Sequence, residues 1–269
     1  MFDANVQRIM ERLDASDKVL DIGGWAKPFN RANVVIDVMP YESRGVLGSC
    51  GPETEHFSAD SWIVHDISSK EAIPLSDKEI DFAICSQTLE DIRDPIFLCS
   101  ELNRVAKSGY IEVPSRSAES IMGSGGYVGA CHHRWLVEIE GDQVAFRFKS
   151  HLIHGCWKYH LPRSYAKRMS PEDEISYLFW EGSFDYREVI SFGFVNMAEE
   201  LESFVRSKQV YPIWYYWLED GKAWIKAAVR RRVLRSRLLE TCAEGLRGRS
   251  IGSDPDDDFW RTIGEIESK

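Results

Sequence analysis

Apolar positions along the chain follow two periods. Val6, Ile9, Met10 and Leu13 share one face of a short helix over residues 4–14. Lys18–Ile22 (KVLDI), Asn33–Val38 (NVVIDV), Ser61–Ile67 (SWIVHDI) and Ile80–Ser86 (IDFAICS) are short apolar runs, the pattern of strands buried on both faces of a parallel sheet. Asp94–Ala106 returns to helical spacing, with Ile96, Leu98, Cys99, Leu102 and Val105 on one face, Asp94 placed to cap and Pro95 in the first turn. Gly109–Val113 reads as a fifth strand, ended by Pro114. Strands alternating with helical or irregular connections predict a mostly parallel sheet with covered faces.

The pattern changes after residue 115. The stretch 116–130, with its glycines and serines, predicts a mobile loop. Trp135–Lys149 alternates around Glu140-Gly141-Asp142, as a β-hairpin does, and Ser176–Val189 reads as another, turning at Gly182-Ser183. Met197–Ser207 has a helical pattern, Ala223–Arg247 reads as a long basic helix, and 252–258 as an acidic turn or linker.

Charge and cysteine usage narrow the class. The 269-residue chain carries a net charge of -10, which argues against nucleic acid as its main partner, because phosphate binding needs a basic face. Positive charge is segregated: Lys222, Lys226, Arg230, Arg231, Arg232, Arg235 and Arg237 interleave with Trp224, Ile225, Val229 and Val233. Such a segment over 222–237 can lie peripherally on an anionic membrane, or pack its apolar side on the domain and leave a solvated basic face. The six cysteines are scattered without a CxxC pair, and the N-terminus lacks an apolar signal segment, so reduced thiols and a cytoplasmic setting are expected. No run of eighteen apolar residues suggests a membrane span.

The chemistry begins at Asp21-Ile22-Gly23-Gly24, at the end of the first strand. Glycines there admit a ligand close to the backbone. Asp37, closing the second strand, is placed to accept hydrogen bonds from two ribose hydroxyls, as an acidic residue does in dinucleotide folds. Those folds also hold a pyrophosphate on GxGxxG at a helix N-terminus. Here Trp25 and Pro28 follow the glycine pair, with no third glycine. A ligand with ribose and no phosphate fits better, and S-adenosyl-L-methionine is such a ligand.

The ordered series VLDIGG (19–24), Asp37 after VVI, HDI (65–67), DFAICSQTLEDIRDP (81–95), ELNRVAKSG (101–109) and YIEVPS (110–115) resembles the class I S-adenosylmethionine-dependent methyltransferases, near their type 11 members. The resemblance covers about residues 20–115. It departs from the family at Trp25, where a third glycine often stands, at Asp91, in place of a histidine, and at Tyr110, in place of a glycine. It implies that Asp21, Gly23 and Gly24 line the methionine and ribose portion and that Asp37 holds the ribose diol. It further implies that Asp66 with Ile67 contacts the adenine, and that Ser86 and Gln87 close the site. The expected fold is thus α/β: a doubly wound, mostly parallel Rossmann-like sheet with an inserted β-hairpin/loop lid and a C-terminal helical extension. The expected organisation is a cofactor-binding core over 1–115, an acceptor-site insertion with the remaining core strands over 116–221, and a basic helix with an acidic tail over 222–269.

Methyl transfer from a sulfonium is an in-line displacement, and a hydroxyl acceptor must also lose a proton. Residues after the fifth strand should meet the acceptor, so His132 and His133 are candidate bases and Glu112 a candidate acceptor-site carboxylate. Each also has a bland reading, as a backbone brace or a strand residue paired with arginine. Cys131, His132, His133, His151, His154 and Cys156 cluster in sequence, but their spacing matches no zinc pattern and adjacent histidines on a strand face opposite ways, so no metal is expected. The activity expected is O-methylation of a small molecule or a glycan precursor. The alternative is a noncatalytic methyltransferase-like binding protein or subunit.

Overall fold

A computed structural model describes residues 1–123, 126–209, 211–212, 214–218, 221–222 and 225. The chain divides into two compact units, Met1–Trp217 and Leu218–Lys269. Every helix and strand with defined bounds lies in the first.

Helix α1 (Asp3–Arg12) leads into β1 (Val19–Ile22), β2 (Val34–Asp37), β3 (Trp62–Val64), β4 (Ile80–Ser86), α2 (Pro95–Val105) and β5 (Ala106–Pro114). β1 lies between β2 and β4, with β3 beyond β2 and β5 beyond β4, all parallel. After β5 come the short helix α3 (Arg116–Glu119), the hairpin β6 (Trp135–Glu140) and β7 (Gln143–Phe148), then β8 (Ile175–Glu181), β9 (Asp185–Glu188) and α4 (Gly193–Lys208). β8 adds to β5 antiparallel, giving the order β3-β2-β1-β4-β5-β8, while β6, β7 and β9 form a separate small sheet. The fold is α/β with a mostly parallel central sheet.

Alternation along the strands feeds two cores. Val19, Val35, Phe82, Ile84 and Tyr110 face one side, closed by Ile9 of α1. Leu20, Ile22, Ile36, Ala83 and Cys85 face the other, closed by Leu98, Cys99, Leu102 and Val105 of α2. The β1–β2 connection forms no helix. Pro28 lacks an amide proton and keeps Lys27 from helical angles, and the Asp21 carboxylate accepts the Phe29 N–H at 2.9 Å, which ties the loop down to the strand.

Three expectations change, and a fourth lies outside the described residues. The strand expected over Ser61–Ile67 stops at Val64, because Asp66 Oδ1 accepts the Ser68 N–H at 2.8 Å and turns the chain. The stretch 116–130 is not structureless: the Ser115 hydroxyl accepts the Ala118 N–H at 3.2 Å to start α3, and bridges join Ile121 to Leu161 and Met122 to Val128. Ser176–Val189 is not a hairpin, since β8 joins the central sheet and β9 pairs parallel with β7. Its apolar residues explain why: Leu178 and Trp180 enter one core and Tyr177 and Phe179 pack on the other, so β8 is covered on both faces. Gly182 turns the chain between the sheets, and Lys78 Nζ pins the joint by donating to the carbonyls of Gly182, Asn103 and Ala106. Last, the basic segment 222–237, apart from Lys222 and Ile225, and the acidic 252–258 lie outside the described residues. Among the described residues, no helix is long and apolar enough to cross a membrane.

Helix α2 begins as its sequence predicts, with Asp94 Oδ1 accepting the Phe97 N–H at 3.0 Å and Pro95 in the first turn. Asp94→Ala should therefore lower stability by ~1 kcal/mol in urea unfolding, and an unchanged midpoint would remove the cap from the helix's energetics.

Candidate active site

The parallel strands end on one edge: Ile22 is level with Ile36 and Cys85, and Ser86 with Glu112. Chain direction across the sheet reverses between β1 and β4, and open α/β sheets take ligands beyond the strand ends at such a point. Gly23 has φ +78°, and a Cβ there would collide with the Thr88 side chain; one at Gly24 would meet the Asp21 carboxylate. The two glycines are therefore required by their own surroundings.

Asp21 lies beneath this turn, buried, with Oδ2 held by the Phe29 N–H. Burial pushes its pKa up to about 7 against that hydrogen bond, and the charge of Asp37 adds to the rise. Asp37 is fixed by two backbone donors, Trp25 N–H to Oδ2 at 3.1 Å and Met39 N–H to Oδ1 at 2.9 Å. Each of its oxygens keeps a further lone pair. Burial raises its pKa as well, against those backbone bonds. Asp66 is exposed in its turn, and Ile67 is half-buried against the core.

Ser86 Oγ and Gln87 Nε2 both donate to Glu112 Oε1, at 3.2 and 3.3 Å. Gln87 has φ +55°, a left-handed conformation costing about 1 kcal/mol or more for a residue with a side chain. Its amide donates to the Glu112 carbonyl at 2.7 Å, which holds that conformation. Glu112 itself is buried and saturated: Oε2 also accepts from the Phe2 N–H and the Tyr110 hydroxyl, and the Met1 ammonium stands 3.6 Å from Oε1. A carboxylate offers about four lone-pair sites, and here donors occupy them. Glu112 is an anchor in this structure, with no lone pair left to take an acceptor's proton.

The histidines reach the β4 loop through the hairpin. Arg134 N–H and Trp135 N–H donate to the Glu90 carbonyl at 2.7 and 3.2 Å, and Trp135 Nε1 donates to the Ile92 carbonyl at 2.9 Å. Residues 131–134 thus precede β6 as a turn, and the two imidazoles sit 4.5 Å apart edge to face, each with Nε2 near Asp91. His133 is nearly buried, with Nδ1 2.9 Å from Glu119 Oε1 and Nε2 3.8 Å from Asp91 Oδ1 and 4.0 Å from Glu90 Oε1. His132 is exposed, its Nε2 3.8 Å from Asp91 Oδ2. Buried Lys149 donates to Glu119 Oε2 and to the Ala130 carbonyl, both at 2.7 Å. Burial alone would depress His133, but Glu119, Glu90 and Asp91 outweigh it and raise its pKa. Burial opposes ionisation of Glu119, yet His133 and Lys149 hold its pKa low. Burial pushes Glu90 up to about 7, with Asp91 and Glu119 adding to the rise.

The structure brings Gly23, Gly24, Asp37, Ser86, Gln87 and Glu112 to one edge and sets His132 and His133 over the loop that follows β4. It does not bring His151, His154 or Cys156 into that histidine cluster; His154 Nδ1 accepts the Val128 N–H instead, at 3.0 Å. Thr88, Glu90 and Lys149 were not foreseen. The adjacent acids Glu90 and Asp91, in the loop a few residues after an apolar strand, were the available signal. A cavity of about 510 Å³ opens elsewhere, between Arg116, Glu138, Tyr165 and Phe204.

No family model matches the sequence, and no curated protein matches it. Among solved structures, the chain is similar to an S-adenosylmethionine-dependent methyltransferase from Mesorhizobium loti, with 14% identity over 54% of this chain and 64% of that one and a TM-score of 0.32. It is also similar to a SAM-dependent methyltransferase from Aquifex aeolicus, with 22% identity over 42% of this chain and 65% of that one and a TM-score of 0.28. The chain spans less than two-thirds of the length of either structure.

The raised Asp21 carries a pH dependence. Its folded pKa lies above the ordinary carboxylate value, so its proton is bound more tightly in the folded state. The stability this contributes is full below about pH 4 and is lost as pH rises through about 7. Asp21→Asn should remove that loss, so its stability relative to wild type should improve as pH rises from about 5 to about 8. A pH-independent difference in unfolding free energy would give Asp21 an ordinary pKa.

Proposed function

We propose that the chain is an S-adenosylmethionine-dependent methyltransferase acting on an oxygen of a small-molecule or glycan acceptor. One observation carries the reading. A left-handed glycine turn at the reversal point of the sheet is followed by a loop, with no helix N-terminus to hold a pyrophosphate, while Asp37 stands fixed at the end of the neighbouring strand with lone pairs to spare. Such an acceptor suits the hydroxyls of a ribose diol without phosphate.

In this reading Asp37 holds the ribose hydroxyls, and Gly23 and Gly24 admit the methionine and ribose portion. Asp66 and Ile67 border the adenine, and Ser86 and Gln87 close the site. Asp21 positions the glycine loop through Phe29, and Glu112 positions Ser86 and Gln87. The bound cofactor supplies an electrophilic methyl group. The chain's own chemical task is to orient the acceptor and take its proton, which a positioned base accelerates by roughly 10²–10⁴. His133, with Nδ1 facing Glu119 and Nε2 directed to the β4 loop, is that base, and the exposed His132 contacts the acceptor.

Asp37→Ala should weaken S-adenosylmethionine binding by ~1.5–3 kcal/mol, the scale of charge-assisted hydrogen bonds. Calorimetry showing equal affinity would take Asp37 out of the site, and tighter binding of NADH would overturn the reading. His133→Ala should lower turnover by about 10² with cofactor affinity unchanged, once an acceptor is in hand. Full turnover in that variant would return His133 to a bracing role.

A further inference from the structure

We propose that Asp91, His132 and His133 form a binding site for a divalent transition metal of the zinc class, with Glu119 as the outer carboxylate behind His133. The three side chains each offer a ligand atom, and these atoms lie within 4.8 Å of one another. Metal bonds of ~2.1 Å in tetrahedral geometry place ligand atoms ~3.4 Å apart. Asp91 stands 3.8 Å from each histidine, through Oδ2 to His132 and Oδ1 to His133, so a bound ion would draw the three groups together by up to about 1.4 Å.

The surroundings point to a ligand independently of that spacing. Metal-bound histidines almost always present their second ring nitrogen to a carboxylate or carbonyl. His133 does so, with Nδ1 2.9 Å from Glu119 while Nε2 faces Asp91. Glu119 is in turn held by Lys149, as second-layer carboxylates are. Glu90 is the further observation: it is 1% exposed, its Oε1 lies 4.0 Å from His133 Nε2, and its Oε2 has no hydrogen-bond partner. A buried carboxylate oxygen without a partner is unfavourable, and a cation at the cluster would offset that. The Lys149 ammonium does not fill this role, since its bonds go to Glu119 and Ala130.

The donor set selects the class of ion. Two imidazoles and a carboxylate suit zinc, cobalt or ferrous iron, whereas magnesium and calcium take oxygen ligands. The site is closed on the side of His133 and open on that of His132, so a bound ion keeps positions for water or substrate, as ions with three protein ligands do. If the methyltransferase reading holds, such an ion would polarise the acceptor hydroxyl in place of proton removal by His133, because the ion would take the Nε2 lone pair. Cation binding itself does not depend on that reading.

The test titrates Zn²⁺ into the chelator-stripped full chain by calorimetry, with the absorption of added Co²⁺ reporting nitrogen ligation. Wild type should bind a single equivalent. H132A and D91N, both at the open side, should each weaken binding about tenfold or more, and E119Q should weaken it about tenfold through His133. C131S, at the exposed neighbouring thiol, should bind as wild type does. Melting of the stripped variants confirms that they fold. Wild-type affinity in both H132A and D91N, or loss of binding in C131S alone, would overturn the site. A chain that binds Zn²⁺ in this pattern but not S-adenosylmethionine keeps the metal site and loses the transferase reading; the opposite result does the reverse.

Discussion

The carbonyl of Glu90 accepts two amide protons from a segment more than forty residues away, those of Arg134 and Trp135. A buried carbonyl in a loop after a strand needs partners, and here the base of the β6–β7 hairpin supplies both. With the Trp135 indole bonded to Ile92, the hairpin is docked at three points on the β4 loop. That docking determines where residues 131–134 turn. The turn sets both imidazoles toward Asp91, and His133 then calls for Glu119 on its other nitrogen and Lys149 behind that. Without the contact at Glu90, the fold would keep its sheet but lose the assembly of charged groups at its edge.

Charge is balanced differently on the two sides of the hairpin. On one side Arg116 pairs with Glu138 and Glu200, and Arg147 pairs with the same two acids. Those groups have partners of opposite sign within the chain. On the other side Glu90, Asp91 and Glu119 converge on histidines whose charge depends on a proton. The first arrangement pairs every charge with a fixed partner, whereas the second fixes Glu119 with Lys149 and leaves Glu90 and Asp91 facing the histidines.

Sequence patterning revealed the elements whose causes are local. The runs at Val19–Ile22, Val34–Asp37 and Ile80–Ser86 are apolar because both faces are covered, and α2 carries its own cap and proline. The placement of Asp37 and Gly23 at strand ends was legible for the same reason. What depended on distant partners was not legible. Gly182 signals a turn, but nothing near it shows that β8 and β9 belong to different sheets. Glu112 reads as an acceptor-site carboxylate or a strand residue paired with arginine until Phe2, Tyr110, Ser86 and Gln87 are seen around it. Adjacent histidines were expected to diverge as on a strand; they converge because the docked hairpin begins two residues later.

The joint at Gly182 has a mechanical consequence. β9 follows β8 after three residues, and Lys78 clamps the intervening carbonyl to the end of α2. β9 is also laddered to β7 along four positions. A hairpin hung only from its own ends would be free to swing as a flap, but this one is stitched through β9 to the rigid edge of the central sheet. It behaves as a fixed wall, so whatever enters beside His132 and His133 must match a shape already made.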